Sequence, residues 1–252
     1  MNSPKFSIIT VCFNSEKTIE DTLLSVFSQS YSNIEYIVID GKSTDGTLAI
    51  VNKHKEKIFN IISEKDNGFY DAINKGIDLV TGDYVAILNS DDFYVNSTVV
   101  EEIVNQFIQN NVEAVYGDLQ YVERTNTNQV TRTWISGNYT EGMFYKGWMP
   151  PHPAFFVKKE CYTKYGKFNL SLKSAADYEL ILRFIHVNKI KVAYLPKVLV
   201  KMRVGGMSNN SIWNRIKANR EDKLAWELNG VKPKALTFIR KPLSKLTQFF
   251  KK

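Results

Sequence analysis

Two cysteines are all this sequence has, Cys12 inside an apolar run and Cys161 in a polar segment, so neither a disulfide framework nor a cysteine metal site can be assembled. No stretch is apolar for long enough to predict a membrane-spanning helix. The N-terminal "MNSPKFSIITVCFN" lacks the charged and apolar regions of a secretion signal, which leads us to expect the body of the protein in the cytosol. Also missing are G-x-G-x-x-G after a strand and G-x-x-x-x-G-K-[ST], so dinucleotide and P-loop phosphate binding are not indicated. Acidic residues are absent from Leu228 to Lys252, where seven basic ones stand: Lys232, Lys234, Arg240, Lys241, Lys245, Lys251 and Lys252. Removing those seven from the 33 Lys and Arg leaves 26 against 26 Asp and Glu. The body is neutral and only the tail is cationic, which argues against nucleic acid as a partner. With no internal repeat and no low-complexity linker, one compact domain followed by a tail is expected.

What is present is a packed-core composition, 44% hydrophobic, and an alternation of strands and helices. "FSIITVCF" (6–13) reads as a strand apolar on both faces, and "EKTIEDTLLSVFSQ" (16–29) as a helix with Ile19, Leu23, Val26 and Phe27 on one side. The pattern repeats as strand 34–40, helix 45–57, strand 58–63, helix 70–82 stopped by Gly82, strand 84–89, and a helix carrying Val99, Val100, Ile103, Val104, Phe107 and Ile108. Less regular pieces follow: strands 114–122 and 130–135, an aromatic loop 142–153, strand 154–158 and helix 174–189. The predicted class is α/β, with a mixed, mostly parallel, Rossmann-like sheet and helices on both faces. Ligands of such sheets bind at the carboxyl ends of the strands. There the polar loops "NSE", "DGKSTDGT", "EKDNG" and "NSDD" fall, so the four are expected to meet on one rim.

The last of these loops ends an apolar run in two adjacent carboxylates, an arrangement that costs solvation and repulsion unless something offsets it. Turn and cap chemistry is one explanation. The other is a divalent cation: Asn89, Asp91 and Asp92 are hard oxygen donors suited to Mg²⁺ or Mn²⁺ together with substrate phosphates.

Taken together, "SIITVCFN", "DGKSTDGT", "SEKDNGFYDAINKGIDLVTGDYVAILNSDD", "HPAFF", "SAADYELILR" and "MRVGGMSN" resemble the family 2 glycosyltransferases of the GT-A fold, over residues 5–210. The look is nearest to the branch that builds bacterial surface polysaccharides, colanic-acid-type transferases included. The resemblance implies a GT-A domain over 1–227, with a nucleotide-sugar-binding half (1–110) and an acceptor-binding half (111–210). It implies that Thr10, Asn14 and Asp40 hold base and ribose, that Asn67, Gly68 and Lys75 lie beside the donor, that Asp118 lies near the donor sugar, and that Arg203 and Ser208 contact the diphosphate. Trp148 and His152 become acceptor contacts, and Asp177 becomes the base that takes a proton from the acceptor hydroxyl. One base and one displacement give inversion. Asn89 stands where the family pattern has its first acid, and the C-terminal metal-binding histidine of many relatives is absent, so few protein ligands to the metal are expected.

Bland roles stand beside these: Asp177 and Asp40 as cap and turn residues, Lys75 as a solvated cation, Trp148 and His152 as packing and loop residues, and "STDGT" with Ser43, Asp45 and Gly46 as turn chemistry. In the tail, 228–252, Leu236, Ile239, Leu243, Leu246 and Phe250 recur at helical spacing among lysines. That reads as a basic amphipathic segment at the inner face of a membrane, beside a lipid-linked glycan acceptor, or as a helix packed on protein. The function expected is an inverting, metal-dependent glycosyltransferase using a nucleotide-sugar donor. The competing readings are a sugar-nucleotide nucleotidyltransferase, for which "FNSEKT" lacks the glycine-rich basic loop, and a non-catalytic glycan- or nucleotide-binding protein.

Overall fold

Strand β1 (Phe6–Cys12) is buried along its whole length and pairs in parallel with β2 (Ile34–Asp40) and β4 (Tyr84–Ile87), while β2 pairs in parallel with β3 (Asn60–Ser63). In the computed structural model, which describes residues 3–205, 212–234 and 237–238, the sheet order is β3-β2-β1-β4-β8-β6-β9-β5. Its second half comprises β5 (Asp92–Tyr94), β6 (Ala114–Val122), β8 (Phe155–Lys158) and β9 (Val192–Arg203), with β7 (Val130–Trp134) paired to β6 alone. The β6–β9 pair is parallel, and β4–β8, β6–β8, β6–β7 and β5–β9 are antiparallel. The sheet is therefore mixed, and its run of parallel strands is confined to the first half, where strands and helices alternate in the sequence.

Both faces are covered because alternate residues of the strands feed two separate cores. Phe6, Ile8 and Cys12 join α1 (Ile19–Phe27), α2 (Thr47–Lys53) and α4 (Val99–Asn110) on one side. Ile9 and Val11 join α3 (Phe69–Leu79), α5 (Lys159–Tyr165), α6 (Ala176–Ile181) and the C-terminal end of α7 (Ile212–Leu228) on the other. Helix α6 continues as a π-helical turn, Leu182–Val187, so the predicted single helix 174–189 is shorter and changes its hydrogen-bond period midway.

Three elements differ from expectation for identifiable reasons. Helix α3 ends at Leu79, with Val80 already extended, so Gly82 does not stop it. That glycine is needed for close approach instead, since a Cβ there would stand 2.5 Å from Ser7 Oγ and 2.7 Å from the Lys5 carbonyl. Strand β9 contains Pro196, which breaks a strand signal. It is accommodated by a register shift between Tyr116 and Asp118 of β6, where Gly117 gives room to Leu199. Strand β5 begins inside the acidic loop, at Asp92, and is held by β9 rather than by its own hydrophobicity.

The C-terminal segment begins on the body. Val231 and Phe238 pack against the α6-side core, Thr237 Oγ1 donates to the Tyr145 carbonyl at 3.2 Å, and Lys234 Nζ lies 4.8 Å from the Tyr145 ring. Leu236, Ile239, Leu243, Leu246 and Phe250 lie outside the described residues.

Gly76 of α3 lies tight against the core, where a Cβ would fall 2.5 Å from Ile9 Cγ2. Gly76→Ala is expected to lower stability by about 1–3 kcal/mol, since overpacking outweighs the gain in helix propensity. Denaturant unfolding checks this, and an increase in stability would show that α3 can lift off β1.

Candidate active site

The four parallel strands end on the same side, and their loops are tied directly to one another. Asn14, in the left-handed region at φ 49°, donates its N–H to Ser43 Oγ at 2.9 Å and accepts from Thr44 N at 2.9 Å. Ser15 donates its N–H to Thr47 Oγ1 at 2.7 Å, and its hydroxyl lies 2.8 Å from that of Ser90. Asp40 is fully buried and accepts from Ser43 N at 3.1 Å, from the Ser43 hydroxyl, and from Ser63 Oγ at 2.6 Å. Loops 13–16, 40–47, 63–68 and 89–92 thus make a single rim, as the loop positions predict. Ser43 and Asp45 serve as turn and cap groups, Asp45 Oδ1 accepting from Thr47 N at 3.0 Å. Phe13 projects from this rim 61% exposed, a residue hidden in the sequence as one more apolar member of the first strand.

At the end of β4 the acidic pair is withdrawn from solvent. Asp92 is fully buried, and Asn89 Nδ2 donates to its Oδ2 at 2.9 Å. Asn89 Oδ1 and Asp92 Oδ1 are both buried with no hydrogen-bond partner. Burial, then the neighbouring Asp91 charge, pushes the Asp92 carboxyl well above the usual carboxylate range. Asp91 is raised as well, by burial, with Arg124 and Arg203 opposing. Two inward oxygens lacking donors beside a second carboxylate fit a hard divalent cation, which would satisfy both atoms and cancel the repulsion. Among the described residues no group of three or more His, Cys, Asp or Glu could hold an ion.

Asp177 stands in the first turn of α6, half-buried, accepting from the Tyr70 hydroxyl at 3.2 Å. Tyr70 stacks on Phe168 with ring centroids 5.5 Å apart, and His152 meets the same Phe168 edge-on at 5.6 Å. Burial lowers the His152 pKa, Asp177 opposing, so the imidazole is neutral near pH 7; its Nε2 is buried and unpartnered. Burial raises the phenol of Tyr121 of β6, on which the charges of both Asp92 and Asp177 act, with the guanidinium of Arg132 3.8 Å from its ring centroid. Asp92 and Asp177 thus lie within electrostatic reach of the same phenol. Tyr70, Tyr121 and Arg132 carry no sequence signal beyond strand and helix periodicity.

Other predicted site residues are occupied elsewhere. Thr10 is fully buried on the α1 side of the sheet and accepts from the Tyr36 hydroxyl at 2.9 Å, so its side chain reaches no rim. Lys75 is enclosed by Asp66 at 2.7 Å, Glu64 at 2.8 Å and Asp71 at 3.5 Å, and the first two bonds raise its ammonium above the ordinary lysine value. Asn67 and Gly68 are exposed at the entry to α3, Gly68 at φ 117°. Arg203 is buried, paired with Asp21 and donating to the Asp91 carbonyl at 2.8 Å, where it braces the acidic loop from behind. Asp118 accepts from Ser136 N at 2.8 Å and from the Tyr194 hydroxyl at 2.8 Å, while Trp148 Nε1 donates to the Ser136 carbonyl at 2.7 Å. Those two residues pin the 136–148 loop to β6. Ser208 lies outside the described residues.

The family model for "Glycosyl transferase family 2" matches residues 7–159, and the chain belongs to that family: it is a glycosyltransferase. A "PGL/p-HBAD biosynthesis glycosyltransferase" of Mycobacterium bovis is 28% identical over 218 residues, covering 84% of this chain and 82% of that protein. An uncharacterized glycosyltransferase of Haemophilus influenzae is 36% identical over 126 residues, 49% of this chain. Among solved structures, S. aureus TarS 1-349 in complex with UDP-GlcNAc superposes with a TM-score of 0.70 at 20% identity, covering 89% of this chain and 65% of that one. The mannosyltransferase PcManGT from Pyrobaculum calidifontis, in complex with GDP-Man and Mn²⁺, gives a TM-score of 0.67 at 18% identity, covering 99% and 70%. At such identities the structural likeness establishes the GT-A-like fold.

The raised Asp92 carboxyl has a measurable consequence. A carboxyl whose folded value exceeds its unfolded one stabilises the protein fully below the unfolded pKa and loses that contribution as pH rises through the folded value. At pH 8 with chelator, Asp92→Asn is therefore expected to melt above the wild type, and at pH 4 the difference should shrink. Melting curves at both pH values check this; a mutant less stable than wild type at pH 8 would mean that the carboxylate is held by donors rather than strained by burial.

Proposed function

We propose that this glycosyltransferase moves a sugar from a nucleoside-diphosphate donor to a hydroxyl of a polysaccharide or lipid-linked glycan, inverting the anomeric centre. The observation that carries the reading is a pair of partnerless buried oxygens in the acidic loop, Asn89 Oδ1 and Asp92 Oδ1, with the charges of Asp92 and Asp177 acting on one phenol, that of Tyr121. Asn89, Asp91 and Asp92 would hold Mn²⁺ or Mg²⁺. A bound ion of this kind supplies Lewis-acid stabilisation of the charge that develops on a departing diphosphate. That PcManGT is solved with GDP-Man and Mn²⁺, and TarS with UDP-GlcNAc, supports such a donor here.

The chain's own residues divide the rest of the work. Phe13, exposed beside Gly41 with its Cδ2 3.4 Å from where a Cβ there would stand, offers a face for a base, and Asn14 and Asp40 fix the loops that would frame base and ribose. Asn67 and Gly68 present exposed backbone at the start of α3 on the donor side. Asp177 accepts the proton of the attacking hydroxyl, with Tyr70 bonding one carboxylate oxygen and leaving the other free for the acceptor. His152, neutral and facing Phe168 beside Asp177, can take or give a hydrogen bond to an acceptor hydroxyl. A single carboxylate on the acceptor face performs a single displacement, hence inversion.

No helix among the described residues is long and apolar enough to cross a membrane. We assign the basic tail a peripheral contact at the inner membrane face, which its seven cations without an acid support.

Asp177→Asn is expected to reduce nucleoside diphosphate release from the preferred member of a panel of UDP-, GDP- and dTDP-sugars with Mn²⁺ by about 10²–10⁴-fold. Donor binding by calorimetry should stay within a few-fold of wild type. Full turnover in the mutant would remove Asp177 from the role of base, and loss of donor binding would make it a donor ligand instead.

A further inference from the structure

Helix α6 carries Asp177 but has no side-chain cap of its own. Its leading turn is held from outside. Glu221, on α7, directs one carboxylate oxygen, Oε2, at three consecutive backbone N–H groups: those of Lys173 at 3.1 Å, Ser174 at 2.7 Å and Ala175 at 3.1 Å. The Ser174 hydroxyl donates to the same oxygen at 2.8 Å. Two residues beyond Ala175 comes Asp177. The two helices are also joined further along, where Trp226 Nε1 donates to the Tyr178 hydroxyl at 2.9 Å and Asn229 Nδ2 to Glu179 Oε1 at 3.0 Å. Tyr70 donates its hydroxyl to Asp177 at 3.2 Å, tying the turn to α3.

We infer that Glu221 is a positioning residue for catalysis: by gathering the N–H groups of residues 173–175 onto one charged oxygen, it fixes the turn that aims the Asp177 carboxylate at the acceptor hydroxyl. The inference rests on Asp177 being the base. Charge matters because hydrogen bonds to an ionised acceptor are shorter and stronger than those to an amide oxygen. Position matters because a displacement of about 1 Å in a reacting group costs on the order of 10²-fold in rate.

The test uses the full chain and the sugar nucleotide from the panel above that turns over fastest, with Mn²⁺. Glu221→Ala should lower kcat roughly 10- to 100-fold while KM for the donor stays within about twofold of wild type. Glu221→Gln, which keeps an acceptor oxygen without the charge, should recover part of the loss. In an Asp177→Asn background, Glu221→Ala should cost nothing further, since it acts only through that carboxylate. If Asp177→Asn abolishes turnover but Glu221→Ala leaves kcat intact, the inference fails and the base assignment stands. If Asp177→Asn remains active, the base assignment fails first. A Glu221→Ala loss that raises KM equally, or adds fully to Asp177→Asn, would mark a general structural role and overturn the inference. Should Glu221→Ala not fold, Glu221→Gln decides alone: a several-fold lower kcat at unchanged KM supports it, and an unchanged kcat overturns it.

Discussion

A carboxylate that is fully enclosed, stands next to another carboxylate and keeps one oxygen without any donor is the constraint on which this site turns. Asp92 is in that state because β5 begins with it and pairs with the end of β9, which closes over it and leaves Asn89 as its one side-chain donor. Arg203, whose charge acts on both Asp91 and Asp92, is committed to Asp21 and to a backbone carbonyl of the same loop, so it steadies the geometry and leaves the two orphan oxygens uncovered. Burying charge in this way is unfavourable for the protein alone, and either a proton or a divalent cation held by Asn89, Asp91 and Asp92 would offset the cost.

The remainder of the architecture fixes that loop and the turn that carries Asp177. Serine and threonine hydroxyls lace the loops of the first half together, fixing the rim to the ends of four parallel strands. The facing side is built differently: Asp177 sits on a six-residue helix steadied by neighbours, with Tyr70 from α3 and Glu221 from α7 reaching it from separate parts of the chain. Between the halves, β6 carries Tyr121, within the electrostatic reach of both carboxylate groups.

The parts legible in the sequence are those with short-range causes. Strands apolar on both faces gave β1, β2 and β4, and loop polarity located the rim, because alternation with helices allows only parallel pairing there. What was hidden depends on long-range contacts. Pro196 masked β9 until the bulge opposite Gly117 made room for it, and β5 has no strand signal apart from its partner. Thr10, Lys75, Asp118, Arg203 and Trp148 resemble ligand-binding positions in one dimension, yet their polar atoms are engaged by Tyr36, by Asp66 and Glu64, by Ser136 and Tyr194, by Asp21, and by the Ser136 carbonyl. Residue type alone could not separate a side chain that touches a ligand from one that shapes the wall behind it. Conversely, Tyr70, Tyr121 and Glu221 acquire their places only when α3, β6 and α7 close around α6.

The central claim concerns the ion. Anomalous scattering from crystals of this protein soaked with Mn²⁺ and a nucleoside diphosphate addresses it most directly. The account predicts a manganese peak in contact with a side-chain oxygen of Asp91 or Asp92, with Asn89 and the diphosphate completing the surroundings. A diphosphate seated at the rim with no manganese at that loop, and with Asn89 Oδ1 and Asp92 Oδ1 still without partners, would contradict it.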